Sequence, residues 1–237
     1  MVNPGKNLKI VIILPPSPPG PGMIKSPPLD IANLIALLSG ETNLQIELSD
    51  LRVHNIKKDG YWEKLSIDLD IFNDFPRCIK WLMGKNDPLI TYTAKKIAKE
   101  IQSVAEFDMA ILSVAILEQF SLQYLIASLC LSKVIKNARP RLKIIFFGNC
   151  PRKHARLILE KFEFLDAFLE DGNERSLLEY IKQTQRGKDS PVPGVCFRKG
   201  GLVVCSEKDR VMELESLPVP QFAAFELDNY KIDKTLI

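Results

Sequence analysis

The stock of reactive side chains in this sequence is small. There are two histidines, His54 and His154, and five cysteines, Cys78, Cys130, Cys150, Cys196 and Cys205. No two cysteines have the two-to-four-residue spacing of zinc or iron–sulfur ligands. An odd, widely spread set reads as reduced thiols in a cytoplasmic protein. Cys150 sits before a helix start, where a thiol can become a nucleophile. It has no assignable acid–base partner, so the plainer reading is a small residue lining the edge of a site. Cys196 and Cys205 read as packing residues placed across from one another in a hairpin. His54 lies in a polar stretch and His154 follows Arg152-Lys153, so both read as solvated. No catalytic residue and no metal-ligand set is assigned.

Binding residues are better represented. Four segments follow short apolar runs and share the character of ligand-facing loops. The first is Pro15, Pro16, Ser17 and Pro18, continuing to Gly22. Proline has no N–H for a phosphate, and the segment lacks the glycine fingerprints that cradle pyrophosphate. A stiff extended segment can flank a large flat ligand, or simply connect two elements. The second segment is Ser113, Val114 and Ala115, leading to Glu118 and Gln119. The third is Gly148, Asn149 and Cys150, where glycine at a strand end leaves room for close approach and Asn149 offers both donor and acceptor. The fourth is Asp171, Gly172, Asn173 and Glu174, which also reads as a turn followed by acids at a helix start.

The elements that position these segments follow from periodicity. Lys9–Leu14, Met109–Ala115 and Lys143–Phe147 are continuous apolar runs, as in strands of a parallel sheet covered on both faces. Leu44–Leu48 and Ala167–Glu170 are weaker strand candidates. Helical patterns occupy Leu29–Leu38, Pro88–Val104, Ser121–Ala138, about Lys153–Phe162 and about Arg175–Gln185. The alternation predicts an α/β chain with a Rossmann-like or flavodoxin-like five-stranded parallel sheet and helices on both faces. In such sheets ligands bind beyond the carboxyl ends of the strands, where the four segments fall.

Two regions depart from the alternation. The aromatic segment 61–86, with Tyr61, Trp62, Phe72, Phe75 and Trp81, reads as a helical insertion on the core, or as a lid or partner surface. Near the C-terminus, Val195–Arg198 and Leu202–Ser206 flank Lys199-Gly200-Gly201, a β-hairpin signal. Leu217-Pro218-Val219-Pro220 then forms a stiff extended linker. The expected division is a domain over 1–187 and a hairpin with linker arm over 188–237.

Composition bounds the classes. The 237 residues, 46% hydrophobic and 26% charged, exclude a disordered or fibrous chain. A chain of this length needs no metal or disulfide for a sufficient core. The formal net charge of +3 is dispersed, so no nucleic-acid face is expected. The longest apolar stretch is broken by Glu118 and Gln119, so no membrane span is expected either. The oligomeric state is not legible.

Five segments, taken in order, resemble the N-terminal cobalamin-binding region of cobalamin-dependent radical S-adenosylmethionine proteins. LKIVIILPPSPP with PPLDIANLIALL is similar to that family's opening strand, proline loop and first helix. FDMAILSVAILEQFSLQYLIASLCLSKVIKNARPRLKIIFFGNCP resembles its third strand, long helix and fourth strand. FLDAFLEDGNERSLLEYI resembles the stretch bearing G-E-G-E, VPGVCFRKGGLVV its hairpin, and LESLPVPQFAAFELDNY its linker to a catalytic barrel. Here Asp171-Gly172-Asn173-Glu174 stands for G-E-G-E, Gly148-Asn149 for a double glycine, and Leu117 for a hydroxyl residue.

The resemblance implies cobalamin (vitamin B12) bound by the four segments. No D-x-H-x-x-G motif is present, which implies cobalt without a protein histidine ligand and a role in methyl transfer. None of the five cysteines forms C-x-x-x-C-x-x-C, so the resemblance implies no iron–sulfur cluster in this chain and a radical S-adenosylmethionine catalytic domain or subunit as partner. The methyltransferase activity would then be that of the whole system, in the cytoplasm, and not of this chain alone. The alternatives are a cofactor-free interaction module of the same ancestry, or a flavodoxin-like binder of flavin or nucleotide.

Overall fold

The computed structural model describes residues 7–16, 27–52, 69–101, 107–114, 121–148, 150–170, 174–188, 190–207 and 218–230. In chain order the elements are β1 (Leu8–Leu14), α1 (Leu29–Ser39), β2 (Leu44–Asp50), a 3-10 turn (Leu69–Asn73), α2 (Phe75–Leu82) and α3 (Pro88–Ile101). Then follow β3 (Met109–Ser113), α4 (Ser121–Ala138), β4 (Lys143–Gly148), α5 (Arg152–Lys161) and β5 (Ala167–Glu170). The last are α6 (Glu174–Gln185), β6 (Val195–Lys199), β7 (Leu202–Cys205) and two short 3-10 turns, Phe222–Ala224 and Leu227–Asn229.

All seven strands join one mixed sheet in the order β2-β1-β3-β4-β5-β6-β7. The pairs β1–β2, β1–β3, β3–β4 and β4–β5 are parallel. The sheet is larger than the expected five strands, because the hairpin does not stand apart from it. Leu169 pairs with Val195, Phe168 with Cys196 and Ala167 with Phe197, antiparallel. An uncovered β5 edge would leave a row of unpaired N–H and C=O groups. The hairpin closes that row and buries Val195, Cys196 and Phe197.

The described helices cover both faces. On one face α2, α3, α4 and α5 pack against Val11, Ile13, Ala110, Leu112, Ile144, Phe146 and Phe168. On the other, α1 and α6 pack against Ile10, Ile12, Ile111, Ile145, Phe147 and Leu169. Strands buried on both faces explain the unbroken apolar runs. Each fully buried Leu, Ile or Phe side chain contributes about 1.5–3 kcal/mol, so these two layers dominate stability. β2 is an edge strand, and its alternating exposure accounts for its weaker apolar signal.

The described part of the aromatic insertion is core, not lid. Phe72 and Trp81 are buried, and the Trp81 indole N–H donates to Thr91 Oγ1 at 2.9 Å. Tyr61 and Trp62 lie outside the described residues. None of the described helices is long and apolar enough to cross a membrane.

The cysteine expectation is corrected. Cys196 and Cys205 are joined in a disulfide, while Cys78, Cys130 and Cys150 are free and buried. The turn at Gly200-Gly201 pairs Lys199 with Leu202, and three steps back along each strand bring Cys196 opposite Cys205. The positions across from one another were legible; the bond itself was not.

At the amino edge of the sheet, two aspartates pin the register. Asp108 accepts from the Lys9 N–H at 3.1 Å. Asp166 accepts from the Ile144 N–H and Lys136 Nζ, both at 2.8 Å, and from Lys143 Nζ at 3.2 Å. Replacing Asp166 by Ala strands a backbone donor and two ammonium groups near β4. Urea unfolding of that variant is expected to show a loss of about 1–3 kcal/mol; a loss below about 0.5 kcal/mol would mean the aspartate does not hold the register.

Candidate functional site

The strand order alone selects a place. Moving from β1 the chain goes outward to β2, then returns across β1 to β3. The loops after β1 and β3 therefore leave in opposite directions, opening a crevice at their carboxyl ends. The described residues of the sequence-predicted segments lie along this edge.

At β1 the described members are Pro15 and Pro16, both buried; Ser17 and Pro18 lie outside the described residues. The Leu51 N–H reaches across to Leu14 O at 3.0 Å, tying the end of β2 to the first proline. At β3, Ser113 is half-buried and Val114 fully buried, while Ala115, Glu118 and Gln119 lie outside the described residues. At β4, Gly148 and Cys150 are described and Asn149 is not. The Cys150 thiol is buried and its Sγ lies 3.6 Å from Pro151 O, which favours a packing role over an exposed nucleophile. At β5, Asp171, Gly172 and Asn173 lie outside the described residues. Glu174 opens α6 and is only 5% exposed, a carboxylate placed where the helix dipole favours it.

Gly148 has a different reason for being glycine than ligand access alone. Its φ is +152°, and a Cβ there would lie 1.3 Å from the carbonyl oxygen of Val114. The Val114 N–H in turn donates to Phe147 O at 2.7 Å. β3 and β4 thus converge backbone to backbone at the crevice, and only glycine permits it.

Neither histidine enters the site among the described residues. His154 is exposed on α5, as its solvated reading anticipates, and His54 lies outside them. No group of three or more His, Cys, Asp or Glu with metal-binding spacing occurs among the described residues.

Two features of this edge escape sequence reasoning. The first is Gln123, in the first turn of α4. That helix starts at the carboxyl edge because it follows β3. Gln123 is 6% exposed, and its Nε2 has no hydrogen-bond partner among the described residues. A buried amide donor left unmade costs about 1–3 kcal/mol, so a partner beyond the described residues would relieve it. The only sequence signal is a polar residue on the helix face otherwise occupied by Ala127 and Cys130.

The second is a polar clamp at the end of β2. Asp50 receives Arg52 Nε at 2.9 Å and Nη2 at 2.7 Å. The Tyr230 hydroxyl donates to Asp50 Oδ2 and accepts from Arg52 Nη2 at 3.2 Å. Burial, reinforced by the Asp50 charge, pushes the Tyr230 phenol above the ordinary tyrosine range. Burial alone would lower the Arg52 guanidinium, but the hydrogen bond and charge of Asp50 win and raise it. Nearby, burial raises the Asp30 carboxyl despite its bond from the Ile31 N–H. The clamp folds the C-terminal segment back: the Gln221 N–H donates to Ala32 O at 3.1 Å, and Phe225 meets Tyr230 edge-on at 6.2 Å. The described part of the expected linker, residues 218–230, is therefore docked on α1 through Gln221 and on the end of β2 through Tyr230.

No family model matches the sequence, and no curated protein does. Solved structures do. OxsB, a cobalamin-dependent S-adenosylmethionine radical enzyme solved with aqua-cobalamin and S-adenosylmethionine bound, superposes with a TM-score of 0.58 at 18% identity, over 92% of this chain and 24% of that one. The apo form of OxsB gives 0.56 with the same identity and coverage. TsrM from Kitasatospora setae, a radical S-adenosylmethionine methyltransferase with cobalamin and a [4Fe-4S] cluster bound, gives 0.49 at 13% identity, over 91% of this chain and 31% of that one. At 18% identity the likeness to OxsB is one of fold, and this chain spans about a quarter of the OxsB length.

Two substitutions test this geometry. Gly148→Ala forces a Cβ into the Val114 carbonyl and is expected to cost roughly 3 kcal/mol or more by urea unfolding; wild-type stability would mean β3 and β4 do not converge as described. Tyr230→Phe removes the donor to Asp50. The native phenol stays protonated above the pH where the unfolded one ionises, so its contribution holds below about pH 10 and falls as pH rises beyond it. Tyr230→Phe is expected to flatten that alkaline loss; an unchanged alkaline limb would break the assignment.

Proposed function

We propose that the carboxyl edge of this sheet holds cobalamin for methyl transfer in a radical S-adenosylmethionine system. The observation that carries the reading is the crevice between the ends of β1 and β3, in a fold shared over 92% of the chain with OxsB. Gln123 adds a test of fit: it is a buried amide donor without a partner among the described residues, at the start of the helix that follows β3, and the rim of cobalamin carries amides and a phosphate that could pair with it. Bound cobalamin supplies a cobalt centre able to carry a methyl group.

In this reading Pro15, Pro16, Ser17 and Pro18 wall one side of the corrin, a stiff surface with few donors of its own. Ser113, Val114, Ala115, Glu118 and Gln119 supply the floor between β1 and β4. Gly148, Asn149 and Cys150 bring backbone close, and Asp171, Gly172, Asn173 and Glu174 close the far side. The finer fold reading, a Rossmann-like binding domain over 1–187 with a hairpin and linker over 188–237, belongs to the same proposal. So does the partner, a radical S-adenosylmethionine catalytic domain or subunit that carries the cluster and selects the substrate.

The reading is tested with the purified chain, hydroxocobalamin and a desalting column. Corrin absorbance is expected to travel with the protein in about one-to-one ratio. No corrin bands on the protein overturn the reading, and a retained yellow flavin favours the flavodoxin-like alternative. Gln123→Leu is expected to leave stability equal or higher, because it removes an unsatisfied polar group, while weakening cobalamin binding by about tenfold. Unchanged binding would remove Gln123 from the site.

A further inference from the structure

A second concavity lies at the opposite end of the helical layer. α4 runs from the carboxyl edge back to the amino edge, where Lys136 Nζ donates to Leu142 O at 2.7 Å just before β4. Beside these last turns, a cleft of about 580 Å³ opens between α4, α3 and the turn that joins α2 to α3. Its charged walls are all of one sign. Lys85 comes from the turn, Lys95 and Lys99 from α3 and Lys133 from α4, and no Asp or Glu lines it among the described residues.

Four ammonium groups around one cleft are unfavourable without an anion. Lys95 and Lys99 are four apart, so they project from one helical face, where like charges destabilise a helix. Lys85, Lys95 and Lys99 are exposed, and no ion pair holds them among the described residues. Lys133 is fixed instead. Its Nζ donates to Trp81 O at 2.8 Å and Leu82 O at 3.0 Å and lies 4.6 Å from the centre of the Trp81 ring. Burial lowers its pKa, an effect a bound anion would reverse. Asn86 and Asn137 add amide donors to the wall.

The size decides the ligand class. Clefts of about 300–1,000 Å³ take small molecules, whereas a nucleic-acid face is broad and this chain's remaining charge is dispersed. Because Lys133 already covers the Trp81 ring, no open aromatic face remains in the cleft for a base to stack on. We propose that this cleft binds a small polyanion carrying two or more phosphate groups, recognised through the phosphates and not through a base. The site is independent of the cobalamin reading and stands or falls without it.

The test is calorimetric titration of the whole chain at low ionic strength with tripolyphosphate, ATP, GTP, orthophosphate and octaglutamate. Tripolyphosphate is expected to bind one-to-one with a dissociation constant of about 100 µM or tighter. ATP and GTP are expected within roughly threefold of it and orthophosphate at least about tenfold weaker. Lys95→Ala with Lys99→Ala is expected to weaken tripolyphosphate at least about tenfold at unchanged melting temperature, while Lys153→Ala with Lys161→Ala on α5 leaves it unchanged. Equal losses in both double variants, absent saturation, or tighter binding of octaglutamate would overturn the proposal. A strong preference for one nucleotide would overturn its phosphate-only recognition.

Discussion

Parallel strands cannot be joined by tight turns, and this constraint shapes nearly everything else in the molecule. Each crossover must return over a face of the sheet, so helices cover both faces and the strands lose contact with water. Every loop that follows one of the five parallel strands then leaves from one edge. The candidate site is a consequence of that arrangement before any particular side chain is considered. What individual residues add is closeness. Gly148 lets the backbones of β3 and β4 converge, because the space of its missing side chain belongs to the Val114 carbonyl.

The two edges of the sheet are built differently. At the amino edge, Asp108 and Asp166 are consumed by backbone N–H groups and lysines, and they hold strands in register. At the carboxyl edge, Gln123 is buried with an Nε2 that has no hydrogen-bond partner among the described residues. Satisfied polar groups stabilise; unsatisfied ones mark a place where something else completes the set. The clamp of Asp50, Arg52 and Tyr230 sits at this edge too. It holds the described C-terminal residues 218–230 back against α1 and the end of β2.

Much of the fold was legible because burial on both faces writes itself as continuous apolar runs. Met109, Lys143 and Ala167 mark strand starts in both readings, and α4 spans Ser121–Ala138 as its periodicity predicts. β2 was fainter because an edge strand needs only one apolar face. The hairpin was visible from Gly200-Gly201, but its union with β5 was not, since pairing of Phe168 with Cys196 depends on contacts between distant segments. The same holds for Asp50 and Tyr230, which are 180 residues apart. Within the site, the strand ends were legible from composition; the reason for Gly148 was not, because a carbonyl approaching from β3 leaves no mark in the sequence near β4.

The central claim is that the carboxyl edge, and no other surface, takes up cobalamin. Hydrogen–deuterium exchange of the chain with and without hydroxocobalamin measures this directly. Protection is predicted to concentrate in the segments around Pro15–Pro18, Ser113–Gln119, Gly148–Cys150 and Asp171–Glu174, with the amino edge around Asp108 and Asp166 unchanged. Protection centred on the amino edge or the outer helical face, or no change at any segment under saturating hydroxocobalamin, would contradict it.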